Sequence, residues 1–220
     1  IVWPKGLKTL GTSVFAKCSN LTGIAIPEGV TSIGDRCFVD CEDLGEISFP
    51  ASVTFMGKEL VSGCDFLSTV IFADGFNALG ESSFLNSKGI ENLTLPQSVT
   101  QIGNNCFEGC INLKSISIPD GVTRIGDKCF LKADLRQLTI PASVTYLGKS
   151  FINGCANLDT VNLEEGFNGL AEGSFENCGI RTITLPEGIT TLGKYTFQGC
   201  TNLEEIIFPA SLVSLGDYCF

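Results

Sequence analysis

The chain contains no histidine, so imidazole is unavailable as a general base, as a metal ligand or as the partner of a serine or cysteine nucleophile. Positive charge is scarce: 14 Lys and Arg face 24 Asp and Glu, for a net charge of −10. A surface that tracks phosphates needs a cation for each one it neutralises, so nucleic acid is not an expected partner. No stretch approaches 18 uninterrupted apolar residues, and the opening segment IVWPKGLKTL lacks the apolar centre of a leader. No membrane insertion is therefore expected within this segment. What is present is a 44% hydrophobic fraction over 220 residues, enough to build a core and exclude disorder. It comes with 11 cysteines, 8 prolines and 25 glycines, and their positions carry the information.

Every proline falls at one position of a repeat: Pro4, Pro27, Pro50, Pro96, Pro119, Pro141, Pro186 and Pro209, with Ala73 and Glu164 filling the two gaps. The step is 23 residues, shortened to 22 where a residue is missing after Lys132 and after Cys178. Two apolar columns run unbroken, one through Val30, Val53, Phe76, Val99 and Phe167, the other through Ile33, Met56, Leu79, Ile102 and Leu170. A glycine column (Gly34, Gly57, Gly103, Gly126) and an aromatic column (Phe38, Phe84, Phe107, Phe130) follow. A longer period is superposed. FPASVTFMGKEL and IPASVTYLGKSF match, as do FADGFNALG and LEEGFNGLA, each pair about 91 residues apart. This is the mark of a duplicated block of four repeats.

Residues such as Leu44, Ile47, Phe49, Pro50, Val53, Met56, Gly57 and Cys64 resemble the BspA-like class of leucine-rich repeats, and the likeness covers the whole chain. The resemblance implies a right-handed leucine-rich-repeat solenoid, β-rich, with one parallel strand per 23-residue repeat. It also implies surface display, with binding to host-surface or extracellular-matrix proteins and no catalysis. Residues 1–220 then form one continuous array of about nine full repeats and a partial one. No polar capping repeat is evident at either flank, so a fragment of a longer array is expected.

Locally, Leu44, Ile47 and Phe49 alternate with Glu46 and Ser48, the period-two pattern of a short strand with one buried face. Proline directly after it removes a donor and stops the strand. Val30 to Ile33 is read as a bend or short second strand, and Gly34 as a position of special backbone conformation. The spacing of Phe38, Cys41 and Leu44 predicts one face of a short helix or 3₁₀ turn, capped by Asp35. Charges after the glycine column alternate in sign between neighbouring coils (Asp35, Lys58, Glu81; Lys149, Glu172, Lys194; Arg36 beside Glu59), which suits in-register stacking.

Most conspicuous motifs have a structural explanation. The cysteines fall in two columns, and their four-residue separations (Cys37/Cys41, Cys106/Cys110) are not zinc-knuckle spacing. Neighbouring coils sit too far apart for easy disulfides. Free thiols filling small buried slots are expected, and no cofactor is. SVTYLGKS and GITTLGKY imitate a phosphate loop, but each piece falls in a repeat column. Asn20 and Asn92 head glycosylation sequons. The remaining candidate surface is the outward row of the strands: Thr22, Glu46, Ser48, Thr69, Asn92, Thr94, Ser115, Ser117, Gln137, Thr139, Thr160, Asn162, Thr182 and Thr184. This face is small, polar and sparsely charged, suited to a protein and secondarily to a glycan. Ala25, Ile71 and Asn162 interrupt it too often for an ice-binding threonine array. The expected function is a recognition or adhesion scaffold at the cell surface. The alternative is an intracellular interaction scaffold, which the many unpaired cysteines favour.

Overall fold

The computed structural model describes Ile1–Phe220. Each repeat makes one coil, and the coils stack as a parallel β-solenoid of about nine turns. One side carries the longer strands, Gly23–Ala25, Glu46–Phe49, Thr69–Phe72, Asn92–Thr94, Ser115–Ser117, Gln137–Ile140, Thr160–Leu163, Thr182–Thr184 and Glu205–Ile207. They pair in parallel and in register: Ile24 lies against Ile47, and Ile47 against Val70. A second, shorter ladder runs through two-residue strands such as Ser32–Ile33 and Phe55–Met56.

Alternation explains the packing. In Gln137–Ile140 the exposed Gln and Thr alternate with buried Leu and Ile. The inward residues merge into a core of 56 buried side chains reaching from Leu10 to Cys219. Within it the aromatic column stacks ring on ring, with centroids 5.3 Å apart for Phe15–Phe38, 5.3 Å for Phe84–Phe107 and 5.4 Å for Phe107–Phe130. Strands end where proline was expected to end them, as at Phe49 before Pro50. Thr69–Phe72 and Thr160–Leu163 end at the same place without proline. There the restored amides of Ala73 and Glu164 donate to Phe49 O and Ile140 O, at 2.9 and 3.1 Å. Proline is thus compatible with the stop but not its only cause.

Two local expectations are corrected. The segment after the glycine column is not helical of either kind; it is a run of turns. Arg36 and Asp40 take left-handed φ of 56° and 55°, which interrupts any helical ladder. The amides of Arg36, Phe38 and Asp40 are spent instead on the next coil, at Lys58 O (2.8 Å), Leu60 O (2.9 Å) and Ser62 O (2.9 Å). Asp35 caps no helix either: its carboxylate accepts the amide of Lys58, one coil on, at 2.9 Å. In later coils glycine fills the second left-handed slot, as at Gly109 (φ 70°) and Gly199 (φ 71°).

The second correction concerns Gly34, which does not take a positive φ. It is needed for space: a Cβ there would lie 2.6 Å from Thr12 N and 2.7 Å from Gly11 C in the coil below. The glycine column lets backbones touch where the chain turns from strand side to turn side.

Candidate functional site

The strand side positions every residue of the outward row. Thr22, Glu46, Thr69, Asn92, Thr94, Ser117, Gln137, Thr139, Thr160, Asn162, Thr182 and Thr184 are exposed, and Ser48 and Ser115 are half-buried. Their order follows from register: Asn92 lies beside Ser115, Gln137 beside Thr160, and Thr160 beside Thr182. Ser115 donates its hydroxyl to Asn92 Oδ1 at 2.6 Å.

The row is not one uninterrupted sheet. Hydrogen-bonded pairing runs through Gly23–Phe72, through Asn92–Ser117 and through Gln137–Ile207 as three separate sheets. Over the seam between Ser115–Ser117 and Gln137–Ile140 lies a cleft of about 640 Å³ lined by eight residues, none hydrophobic, among them Asn92, Lys114, Arg136, Gln137, Asn157 and Asp159. A second cleft of about 470 Å³ continues along the same strands past Thr94, Ser117 and Thr139 to Asp120 and Glu164. Lys114 is paired with Glu91 at 2.9 Å. Asn157, which did not stand out in the sequence, also lines the cleft.

The turn side carries the cysteines, and here the structure adds a role. All eleven are free, and the nine other than Cys18 and Cys200 belong to the continuous core. In the column after the aromatic each thiol except that of Cys18 donates to a carbonyl of the preceding coil. Cys41 reaches Phe15 O at 2.9 Å, Cys64 reaches Phe38 O at 3.1 Å, Cys110 reaches Phe84 O at 3.2 Å, and Cys178 reaches Ile152 O at 3.1 Å. Ser87 does the same with its hydroxyl, to Val61 O at 2.9 Å. Those carbonyls already accept an amide three residues on in their own turn, as Phe38 O accepts Cys41 N. The thiol satisfies the second lone pair. Cysteine is therefore a buried donor as well as a filler, which hydrophobic patterning alone does not reveal. Burial pushes most of these thiols up, to about 12 for Cys110 and Cys155 and to about 11 for Cys37 and Cys200, which keeps them protonated; Cys41, hydrogen-bonded to the Cys64 thiol, is instead lowered to about 7.

The charged ladder forms largely as the alternation of signs implied. Lys58 meets Glu81 at 2.8 Å, Lys149 meets Glu172 at 2.9 Å, and Arg36 meets Glu59 at 3.6 Å. Lys149 and Lys194, the lysines of the phosphate-loop imitations, are engaged with Glu172 and with the Tyr195 ring. No helix is long and apolar enough to cross a membrane.

Comparison with known proteins agrees with this architecture. The BspA type leucine-rich repeat region matches residues 8–136 and 123–220, in six copies. No curated protein sequence matches the chain. Among solved structures, a leucine rich cell surface protein from Faecalibacterium prausnitzii is 25% identical with a TM-score of 0.71. The alignment covers 97% of this chain and 62% of that one. A leucine-rich repeat protein from Eubacterium ventriosum is 21% identical (TM-score 0.55; 97% and 79% covered), and one from T. pallidum is 21% identical (TM-score 0.52; 94% and 77% covered). The chain thus spans less than two thirds of the length of its Faecalibacterium counterpart. With its strand, proline, glycine, aromatic and cysteine columns all in place, it belongs to the BspA type leucine-rich repeat family.

Proposed function

We propose that the protein is a non-catalytic recognition scaffold at the cell surface and that its strand face docks a protein partner. The observation that carries the reading is the pair of polar clefts along Asn92–Thr94, Ser115–Ser117 and Gln137–Ile140. They give an otherwise even row of hydroxyls and amides a centre with relief and charge. Surface display is supported by the likeness to the Faecalibacterium cell surface protein. The fold itself hosts many roles, so the argument rests on the face. Replacing Ser115 and Ser117 together with Lys is expected to weaken capture of the chain by immobilised extracellular-matrix proteins, measured by surface plasmon resonance, while the thermal midpoint is unchanged. Equal capture by this variant would count against the face.

A second reading, an intracellular scaffold, is favoured by the eleven free cysteines. Thiol titration and mass spectrometry of the chain purified from its source separate the two: disulfides, or glycans at Asn20 or Asn92, oppose the intracellular reading.

A further inference from the structure

The short-strand side carries one feature twice. Its ladder stops after Phe55–Met56 and resumes at Gln101–Ile102, then stops after Tyr146–Leu147 and resumes at Thr191–Leu192. On the near rim of each gap stands an outward aromatic ring, Phe55 at 55% exposure and Tyr146 at 40%. The coil inside each gap places Asn77 or Asn168 where other coils have threonine. On the far rims, Thr100 and Thr190 lack the hydroxyl bond to the coil below that Thr54 makes to Thr31 O (3.3 Å) and Thr123 makes to Thr100 O (3.2 Å).

The two copies differ in what lies under the ring. Arg124 pairs in register beneath Tyr146 and lays its guanidinium 3.7 Å from the ring centroid. Ser32 occupies that place beneath Phe55. Above Phe55 a cleft of about 330 Å³ is lined by Thr54, Phe55, Asn77, Thr100 and Gln101 among others, and no lining residue is charged.

This lining has a definite chemistry. An aromatic face accepts polarised C–H bonds, the amides of Asn77 and Gln101 both donate and accept, and threonine hydroxyls do likewise. An ionic ligand finds no counter-charge here, and a wholly apolar one would strip water from the amides without replacing it. An added peptide strand would need a bare sheet edge, but residues 77–80 of the gap coil lie between the two interrupted strands. A pyranose fits, because it presents a flat C–H face with hydroxyls at its rim. We infer that the cleft beside Phe55 binds a neutral saccharide. The inference stands apart from strand-face docking, since it uses the other sheet.

The test is saturation-transfer NMR on the full chain with maltohexaose, cellohexaose and mannohexaose as probes and hexagalacturonate as the acidic comparison. The expected result is transfer to ring protons of at least one neutral probe with a Kd in the range of about 1 mM. Phe55→Ala, a change at the surface, is expected to weaken it about tenfold. The inference is overturned by any of three results: no transfer from the neutral probes at roughly 10 mM, Phe55→Ala binding like the parent, or hexagalacturonate binding more tightly than every neutral probe. Loss of matrix-protein capture in the Ser115/Ser117 variant leaves all these readouts untouched, so the two readings fail separately.

Discussion

The coil that begins at Pro50 and the coil that begins at Ala73 are neighbours built to one pattern, yet they are held differently. In the first, Thr54 N bonds to Thr31 O at 3.0 Å and Gly57 N to Ile33 O at 2.8 Å, so the short ladder passes through. In the second, Phe76 stands in the column that Val53 occupies, fully buried against Phe49 (5.7 Å) and Phe72 (4.7 Å). Residues 77–80 form no strand. Phe167 and Asn168 repeat the interruption in the Glu164 coil. The turn side is indifferent to the difference: Ser82 N, Phe84 N and Asn86 N of the irregular coil still reach Asn104 O, Cys106 O and Glu108 O, at 2.8, 2.9 and 2.8 Å. The stack is thus tied by two sets of hydrogen bonds, of which the two coils with Phe in the Val column keep only the turn-side set intact.

The glycine column gives the largest contrast. A Cβ on Gly126 would lie 2.5 Å from Asn104 N and 2.7 Å from Asn104 Cα, in regular surroundings. On Gly193, above the irregular Glu164 coil, the nearest atom would be Glu172 N at 3.2 Å. Gly126→Ala is therefore expected to cost about 3 kcal/mol through overpacking against backbone, and Gly193→Ala about 1 kcal/mol or less. Urea unfolding of the two variants measures both, and similar costs would mean the Glu164 coil is packed as closely as the Ala73 coil, where a Cβ on Gly103 would lie 2.6 Å from Gly80 C.

The thiol donors make the opposite prediction, because they lie on the side that does not change. Cys110 sits in a regular coil and Cys178 in an irregular one, with bonds of 3.2 and 3.1 Å to the coil before. Alanine at either position is expected to cost about 2 kcal/mol, and serine less, as Ser87 illustrates. The same thiols set an alkaline limit. Burial raises Cys110 and Cys155 from the ordinary 9.0 to about 12 and raises Cys178 as well. The folded state therefore holds protons that the unfolded chain releases. Their contribution is complete below pH 9 and is lost as pH rises towards 12, by up to about 1.4 kcal/mol per pH unit for each thiol. A thermal midpoint that holds level from pH 8 to 11 would contradict this.

Amide exchange locates the break directly. Gly126 N and Gly216 N donate to Ile102 O (2.9 Å) and Leu192 O (2.8 Å), whereas Gly103 N and Gly193 N, just above the irregular coils, make no backbone bond. Their exchange is expected to be at least about tenfold faster than that of their bonded counterparts, and equal protection would remove the gaps.

These gaps also mark the boundary of what was legible in the sequence. Alternation in Leu44, Ile47 and Phe49, the proline and glycine columns and the alternating charges recur along the chain, and repetition reveals stacking and register. The solenoid and the exposure of the strand row followed from that, while the second ladder was left open between a bend and a short strand. The left-handed residues Arg36 and Asp40 were not legible, because apolar spacing of three is shared by helices and by successive turns. The donor role of Cys64 was hidden because its column otherwise looks apolar. The seam under Arg136 and the opening beside Phe55 were not legible either: a residue is missing after Cys178 as after Lys132, yet only the ladder beside Lys132 is interrupted.

The smallest effect tests how the irregular coils are anchored. Lys58–Glu81 and Lys149–Glu172 each run from a regular coil to an irregular one, at 2.8 and 2.9 Å. Both pairs are solvent-exposed, so their contribution is small and screened by salt. The Lys149 ammonium, by hydrogen bond and then by charge, holds the Glu172 carboxyl below its ordinary range. A depressed carboxyl contributes stability above that ordinary range and loses it as the pH falls through the folded value. Lys58→Gln and Lys149→Gln are therefore expected to lower the thermal midpoint slightly at neutral pH and low salt, and not at all in molar salt or once the partner carboxyl is protonated. Lys114→Gln, whose partner Glu91 also belongs to the Ala73 coil but lies on its strand side, beside the intact ladder between Asn92–Thr94 and Ser115–Ser117, serves as the comparison. If the two boundary pairs anchor coils that lack ladder bonds, their loss should also speed exchange at Gly103 and Gly193, while Lys114→Gln leaves both amides as they were. Identical exchange in all three variants would place the anchoring entirely in the turn side and the core.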